Sequence, residues 1–410
     1  RPVKVESGYG TTTVSVSDTE YTPCACSPLG KVSRVSRPYA PGGTVYWTTY
    51  TYDALGRTLS VTHPGNTGTT TYVYEGNTVK VIDPVGKWKK YRQDVFGNLT
   101  KVWEPDPAGG ADLETNYTYS RVNQLLQVQM PRGSVTQYRT FVYSGHLLQS
   151  ATHPESGTTS YTYNGDNTLA TRTDAKGQRT EYSYDSLKRV TVVRYFISGI
   201  EDPNQRVDYR YDLNPYDQNY SQYAQGRLVA VDYYAAGYNA REMYSYHQAG
   251  AVTKKYLSVA RYGGPVEMEG QFEYDNEGRQ TATTYPLSLG RYVYSFDSMG
   301  RPNKLTKGTE DQVWGVQYNA AGQMTQMSYL GASETRTYNE RGQMTRLTAP
   351  GLVDLEYRYS PTQNNGRITQ RKDWVTGEEI TYQYDSLQRL IAASTTGPEW
   401  GLSFGYDGFG

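Results

Sequence analysis

Aspartates are the residues of this chain whose type and spacing could perform acid–base chemistry. One recurs in each of the phrases YTYDALGR, YSYDSLKR, FEYDNEGR and YQYDSLQR. Carboxylates catalyse proton transfer when they reach one substrate. Asp at the first position of a β-turn instead accepts hydrogen bonds from the backbone that it reverses. We therefore interpret these residues as turn caps rather than as a catalytic array: Asp53, Asp185, Asp212, Asp275, Asp385 and Asp407.

The two cysteines could form a metal site or a redox pair. Cys24 and Cys26 lie in CACSPLGKV, where they take the places of Tyr50 and Tyr52 of a later phrase. Two thiolates without further Cys or His make a poor zinc site. A disulfide between residues i and i+2 would be strained. We expect these cysteines to be strand residues that replace tyrosines.

Histidine and calcium-ligand patterns are equally weak. His63 and His153 each precede proline at matching turns, so their position in the repeat explains them. Asp212, Asn214 and Asp217 resemble part of a calcium loop, but a proline interrupts the spacing and the glycine and distal glutamate are absent. The sequence predicts no catalytic residue, no cofactor and no metal.

The repeated phrase reads as a β-hairpin. Tyr50 and Tyr52 project from one face of a strand, because side chains at i and i+2 share a face. Asp53 opens a turn, and Gly56 supplies the left-handed position that the turn needs. From Arg57 the chain returns as the partner strand.

Sixteen such units can be counted, and a degenerate seventeenth begins at Cys24. The mean interval is about 24 residues, the length that two short strands and two turns require. Pro and Gly separate one hairpin from the next. The structural repeat positions are Tyr50, Tyr52, Asp53, Gly56, Arg57, Tyr182, Tyr184, Asp185, Arg189, Tyr274, Asp275, Gly278, Arg279, Asp297, Gly300, Arg301, Tyr382, Tyr384, Asp385, Arg389, Tyr406 and Asp407.

Composition excludes some classes of partner. The chain has 41 basic and 41 acidic residues, and no basic stripe that would favour nucleic acid. No apolar stretch is long enough to span a membrane. Hydrophobic residues are only 36%, yet 42 tyrosines supply side chains with an apolar body and a polar tip. Such side chains suit a sheet that is wet on both faces.

The fold expected from these repeats is all-β: a meander of about 34 strands. Open sheets rarely exceed ~10 strands without curling or splitting, so this ribbon must curl into a ring or a spiral around a hollow. A propeller would show a longer period, near ~40–45 residues, and it and a stack of β-sandwiches are the less favoured alternatives.

The whole chain, 1–410, is expected to be one shell segment. Residues 1–45 read as degenerate leading repeats, and 212–243 as the longest insertion. That insertion is interpreted as a long surface loop or extended hairpin, or as a lobe that contacts cargo, glycan or a partner. The start RPVKVESGYG and the end FGYDGFG suggest a piece of a longer protein.

The iterated phrase Tyr-x-Tyr-Asp-x-x-Gly-Arg resembles the YD repeat of the Rhs family and of the teneurins. The resemblance covers the chain from about Cys24 onwards. It implies a spiralling β-shell, which in bacterial members often encloses a C-terminal toxin and in teneurins belongs to an adhesion ectodomain. In the Rhs family the shell is commonly closed by a distinctive segment that can include an aspartyl self-cleavage site before the toxin. No such segment is found in this sequence. DPVG, at 83–86, is interpreted as an ordinary turn.

Three functions follow as hypotheses. The first is a non-enzymatic β-shell segment of an Rhs-like secreted or surface protein, whose partner is its own C-terminal effector domain. The second is an extracellular adhesion or structural protein that binds glycan or other protein chains through tyrosine-rich surfaces. The third, least favoured, is an enzyme with its site in the 212–243 insertion.

Overall fold

A computed structural model describes residues 2–24, 27–260 and 264–409. Over these residues the chain forms 34 β-strands and one short 3-10 turn at Pro64–Asn66. The strands are β1 Lys4–Tyr9, β2 Thr12–Cys24, β3 Ser27–Ser36, β4 Trp47–Tyr52, β5 Thr58–Thr62, β6 Thr69–Glu75, β7 Thr78–Ile82, β8 Trp88–Gln93, β9 Leu99–Glu104, β10 Leu113–Tyr119, β11 Leu125–Arg132, β12 Val135–Ser144, β13 Leu147–His153, β14 Gly157–Tyr163, β15 Leu169–Thr173, β16 Arg179–Tyr184, β17 Val190–Ile197, β18 Ile200–Tyr211, β19 Leu228–Tyr233, β20 Ala240–Tyr246, β21 Val252–Val259, β22 Val266–Tyr274, β23 Gln280–Tyr285, β24 Gly290–Phe296, β25 Pro302–Lys307, β26 Glu310–Tyr318, β27 Met324–Tyr329, β28 Ala332–Tyr338, β29 Met344–Ala349, β30 Val353–Tyr359, β31 Ile368–Asp373, β32 Glu379–Tyr384, β33 Leu390–Thr395 and β34 Gly401–Ser403.

The topology is a continuous antiparallel meander, in which each strand pairs with the next one along the chain. The register shifts by one residue at the second aromatic of the phrase, for example between Thr51 and Tyr52 and between Ser183 and Tyr184. These are β-bulges, which end a ladder and sharpen its twist. The expected all-β fold is confirmed, and no pairing among the described strands closes the sheet on itself.

Because the strands alternate in direction, their turns lie on two opposite edges of the ribbon. Turns that follow the tyrosine phrase, such as 53–56 between β4 and β5, lie on one edge, which we call the YD edge. The turns that join one hairpin to the next, such as 83–87 between β7 and β8, lie on the other, which we call the return edge.

The ribbon coils into a spiral rather than a flat ring. Arg37, which follows β3, hydrogen-bonds to the carbonyl of Asn339, which follows β28. Similar contacts join residues 276 to 305 positions apart in sequence. One turn of the spiral therefore takes about 25 strands, and at ~4.8 Å per strand its perimeter is on the order of 120 Å. The implied diameter of roughly 40 Å is wider than side chains can fill.

Burial is spread thinly along the wall instead of being collected in a central core. Val102, Val128, Ala151 and Val193 are each buried singly on their strands. The densest packing lies on β19, where residues 229–231 are at most 2% exposed. A wall one sheet thick needs few aliphatic residues, which explains the low hydrophobic content.

Candidate functional site

The Asp of the repeated phrase organises its own turn. The Asp53 carboxylate accepts hydrogen bonds from the N–H groups of Leu55 (3.0 Å) and Arg57 (2.9 Å), and from the Arg57 guanidinium (2.7 Å). The backbone N–H of Gly56 donates to the Asp53 carbonyl at 3.0 Å. Gly56 has φ +76°, a left-handed conformation that glycine adopts without strain.

The same geometry recurs in other units. Asp185, Asp275, Asp297 and Asp385 each bind the N–H groups two and four residues later and the arginine at the fourth position. The backbone N–H of Arg189 and then its side chain hold the pKa of Asp185 below its usual value, against an opposing effect of burial. These carboxylates are therefore already hydrogen-bonded within their own turns.

In eleven of the described units, the second tyrosine binds the preceding unit. The Tyr52 hydroxyl donates to the carbonyl of Val32 at 2.7 Å, and the Tyr184 hydroxyl to the carbonyl of Leu169 at 2.8 Å. The acceptor is the residue after the arginine position of the unit before, except for Tyr163, which binds the Leu148 carbonyl beyond a shorter turn. The same bond is made by Tyr163, Tyr211, Tyr246, Tyr274, Tyr318, Tyr338, Tyr359, Tyr384 and Tyr406.

Where a phrase carries an arginine, as at Arg57 and Arg389, the guanidinium contacts the aromatic ring of the following unit. The Arg57 guanidinium lies 4.3 Å from the centroid of the Tyr74 ring, and that of Arg389 lies 4.3 Å from the Tyr406 ring. Such cation–π contacts contribute roughly 0.5–1 kcal/mol where exposed. Arg189, Arg279 and Arg301 lie in the same way over Tyr211, Phe296 and Tyr318. A unit that makes both contacts, such as the one with Tyr184 and Arg189, is thereby joined to the neighbour on either side.

The remaining repeat positions serve the strands. Tyr50, Tyr182 and Tyr382 lie opposite Val61, Val193 and Ala393 on the adjacent strands. Gly278 and Gly300 have positive φ, as Gly56 does. Asp407 accepts the N–H of Phe409 at 2.9 Å.

Asp212 differs from the expected turn cap. It has φ +66° and receives the N–H of Gly226, so it closes a long loop and not a tight turn. Its carboxylate also binds Arg189 of the preceding unit, at 2.6 Å. The insertion changed the role of this position, which the repeat pattern alone did not indicate.

Two edges of the ribbon meet where the spiral overlaps itself, at a line of contact that we call the seam. Its return edge comes from the first turn of the spiral, residues 37–132, and its YD edge from the last, residues 323–408. Arg37 donates to the carbonyls of Asn339 (3.0 Å) and Glu340 (2.8 Å) and to Oε1 of Gln323 (3.0 Å). Burial lowers the pKa of Arg37.

Asp83 is the acceptor at the middle of the seam. Its turn, DPVG, is an ordinary one: Oδ1 accepts the N–H groups of Val85 and Lys87. Its Oδ2 accepts from the side-chain amides of Asn365 (3.0 Å) and Gln388 (2.5 Å). No local pattern in the sequence points to these partners.

Two open grooves lie at the ends of the seam. The first, about 580 Å³, is lined by Arg37, Tyr46 and Glu340. The second, about 570 Å³, is lined by Met130, Arg132 and Leu387. Most polar groups that line the first are already bonded: the Tyr39 hydroxyl binds Asp18, for example. We interpret both as by-products of edge-on-edge packing.

A buried charge cluster is the feature that sequence reasoning missed. Asp208 on β18 and Asp232 on β19 lie directly opposite one another and are 3% and 5% exposed. Like charges in that position are destabilising unless they are neutralised. Here the carboxylates are bound by Arg206, Arg210, Arg241 and the Tyr216 hydroxyl. Both carboxylates are ion-paired, so neither is presented as a free base.

The 212–243 insertion packs onto the wall. Asn214 is 1% exposed, and its amide donates to the Ser221 hydroxyl, which in turn donates to the Tyr244 carbonyl. The side-chain oxygens of the calcium-like pattern accept hydrogen bonds from the loop backbone: Asn214 accepts the N–H of Tyr216, and Asp217 accepts that of Asn219. Across the residues described, no group of three or more His, Cys, Asp or Glu is placed to hold a metal.

The cysteine expectation needs correction at Cys24. This residue ends β2 and is disulfide-bonded, which the strand-face interpretation did not predict. Cys26 lies outside the described residues. His63 lies at the seam, and burial, then the charge of Arg341, lower its pKa. None of the helical residues described forms a segment long and apolar enough to cross a membrane.

Comparison with known proteins supports the resemblance stated above. The RHS Repeat family model matches residues 163–196, from the end of β14 into β17. The expected resemblance to the YD, or Rhs, repeat is thereby confirmed for these residues. A search of curated proteins found no match to this sequence.

Solved structures share the fold. A crystal structure of TcdB2-TccC3 with Cdc42 is 16% identical with a TM-score of 0.71, and covers 93% of this chain. A TcdB2-TccC3 structure is 17% identical with a TM-score of 0.73 and the same cover. A Photorhabdus luminescens Tc holotoxin pore is 16% identical, with a TM-score of 0.72 and 93% cover. This chain spans only 21–22% of those chains.

Proposed function

Since this chain is built from RHS repeats and has the fold of the Tc toxin structures, we propose that it is a non-enzymatic wall segment of a secreted or extracellular shell. Its partner would be a C-terminal effector domain of its own protein. The observation that carries the proposal is the seam: a ribbon that stacks edge on edge encloses a volume, whereas an open sheet does not.

The physical task is confinement. A wall roughly 40 Å across leaves a water-filled interior, because side chains cannot fill that width. The carboxylates of the repeats and of the 208–232 cluster are bound within the wall and offer no reactive group to a cargo. One similar solved structure is described as TcdB2-TccC3 without its hypervariable C-terminal region, which supports a C-terminal cargo by analogy.

The test is a cryo-EM map of the full-length protein beside a variant that lacks the region following the repeats. Density inside the wall that disappears with the deletion is the expected result. An empty interior in both maps would overturn enclosure and favour the adhesion hypothesis.

Protease protection gives a second readout. In the full-length protein, the variant Arg37→Ala with Arg132→Ala loses side-chain bonds at both ends of the seam. We expect faster cleavage of the enclosed region. Arg121→Ala, at an exposed turn of the YD edge, is the matched control and should leave cleavage unchanged. Equal cleavage in all three proteins would count against a cargo behind the wall.

A further inference from the structure

The middle of the seam depends on the side-chain amide of one asparagine. Asp83 lies in the first coil of the spiral, residues 37–132, and Asn365 in the last coil, residues 323–408. The Asn365 amide, in the loop between β30 and β31, donates to Oδ2 of Asp83 at 3.0 Å. Gln388, also in the last coil, donates to the same oxygen. Both bonds therefore hold the two coils together.

The residue that follows Asn365 makes this amide chemically unstable. It is Gly366, and Asn-Gly is the dipeptide that deamidates most readily, because glycine has no side chain to shield its backbone nitrogen. The sequence contains Asn-Gly twice, at 164–165 and at 365–366. Only the second pair lies at a contact between coils, so loss of its amide has a structural consequence.

The local backbone favours the reaction at 365. Oδ1 of Asn365 accepts the N–H of Arg367 at 3.2 Å, which folds the side chain back over the peptide bond to Gly366. Gly366 is exposed and has φ +96°, which glycine adopts without strain. A groove of about 300 Å³, lined by Asn365, Arg367 and Gln388, admits water to the same place. The carbonyl carbon, the attacking nitrogen and water are thus brought together.

One contact slows the attack. The Gly366 N–H donates to Oδ1 of Asn364 at 2.9 Å, and this bond must break before the nitrogen can react. The reaction is therefore expected to be slow in the folded chain and to act as a measure of time.

We propose that Asn365 is a site of spontaneous deamidation, and that the reaction weakens the middle of the seam. The backbone nitrogen of Gly366 attacks Cγ of Asn365, so that a new C–N bond forms and the Cγ–Nδ2 bond breaks. The proton of the attacking nitrogen leaves with the amide nitrogen as ammonia. One water molecule then opens the cyclic imide and gives aspartate or isoaspartate at position 365.

The product replaces a hydrogen-bond donor with a carboxylate that faces the Asp83 carboxylate. Like charges in contact repel one another, so the bond across the seam is lost. Lys87 and Arg367 line the adjacent groove. A pair with Arg367 would add nothing across the seam, because that residue also belongs to the last coil. A pair with Lys87 of the first coil would restore a link, and the test must distinguish this outcome.

The change is one-way, because the ammonia is lost to solvent. A wall built on this seam would therefore loosen at this point with age. The inference rests on the seam and not on the proposed cargo, so it can fail while enclosure holds.

Peptide mass spectrometry of the full-length protein follows the reaction. During incubation the peptide that contains Asn365 should gain about one dalton, faster at mildly alkaline than at neutral pH, because the attacking nitrogen must lose its proton. Asn365→Gln keeps an amide, but its longer side chain forms the cyclic imide far more slowly, so the gain should vanish. Asn164, whose amide donates to Thr168 of its own turn at 2.9 Å, is the control within the same molecule.

Native-state hydrogen exchange measures the consequence. Asn365→Asp copies the product and should lower the protection of residues 83–87 and 363–367 roughly 10- to 100-fold, the loss expected for one hydrogen bond to a charged group. Wild-type protein that has been incubated until it is deamidated should match this variant. Asn164→Asp adds the same charge at an exposed turn and should leave these residues as in wild type. Asp83→Asn with Asn365→Asp exchanges donor and acceptor, and should restore part of the protection.

Three results would each overturn the proposal. An Asn365 peptide of unchanged mass beside a deamidated Asn164 peptide would show that the folded loop protects the site. Equal protection in Asn365→Asp and wild type would show that the seam does not depend on this bond. Higher protection in Asn365→Asp would show that the new carboxylate pairs with Lys87 and strengthens the seam.

Discussion

Removal of the Arg37 side chain should open one end of the seam without unfolding the wall. Arg37→Ala removes three hydrogen bonds, 2.8–3.0 Å long, that the Arg37 guanidinium donates to the last coil. Hydrogen bonds to charged groups contribute about 1.5–3 kcal/mol each. Two effects reduce the sum: burial already disfavours the charge, and the adjoining groove of about 580 Å³ admits water to the freed carbonyls. We expect the substitution to destabilise the closed seam by about 2–4 kcal/mol.

Native-state hydrogen exchange measures this directly. A loss of 2–4 kcal/mol corresponds to roughly 30- to 700-fold lower protection, at 1.4 kcal/mol per tenfold. The decrease should be confined to residues near 37–46 and 319–342, which meet at this end of the seam. Strands β13 to β24 make no contact there and should exchange as in wild type.

Two further variants separate the charge of Arg37 from the geometry of its guanidinium and from a general surface effect. Arg37→Lys keeps the charge but loses the planar fork, so protection should fall between wild type and alanine. Arg121→Ala should change nothing, since that residue lies exposed on the YD edge. Unchanged exchange at 339–342 in Arg37→Ala would refute the seam as the contact that holds the last coil. Uniform loss along the chain would show that the effect is global.

Three other predictions concern single sites. Phe296→Tyr should raise the free energy of unfolding by about 0.5–1.5 kcal/mol in urea titration. The new tyrosine hydroxyl would reach the backbone carbonyl that follows the arginine of the preceding unit, as the tyrosines of other units do. An unchanged free energy would count against this bond between units. Asp232→Asn should lower it by about 3–5 kcal/mol, since Arg241 would lose its buried counter-ion; a loss below 1 kcal/mol would show that the cluster is dispensable. The pKa of His63 is lowered in the folded chain, so stability should be full above pH 6.5 and fall as pH drops below it; His63→Gln should flatten that profile, and an unaltered profile would exclude this residue.

Much of this architecture follows from local sequence. The turn at Asp53 needs only the residues up to Arg57, and the strand count follows from the repeated phrase. The seam could not be predicted, because Arg37 and Asn339 are separated by 302 residues and neither lies in an unusual motif. Their meeting depends on the curvature of some 25 intervening strands, a sum of small twists that no local pattern specifies.

The charge cluster was missed for a related reason. Asp208 faces Asp232 because the long loop between Tyr211 and Leu228 joins β18 and β19 in this register. Register fixes which side chains meet across strands, and it is specified here by the packed insertion and not by the repeat. The unit with Cys24 departs from the tyrosine pattern. The pattern alone therefore does not predict that this cysteine forms a disulfide.

The nearest-neighbour pairing of the strands has a consequence for how the chain acquires its structure. Each hairpin closes a short loop, so its entropic cost is low and it can form as soon as its residues are available. The seam instead joins residues up to 305 positions apart, and it has to wait until the whole first turn exists. Folding should therefore proceed as rapid local growth from one hairpin to the next, followed by a late docking step. During that interval the ribbon is complete in its strand pairing yet still open, so its interior stays accessible until the seam forms.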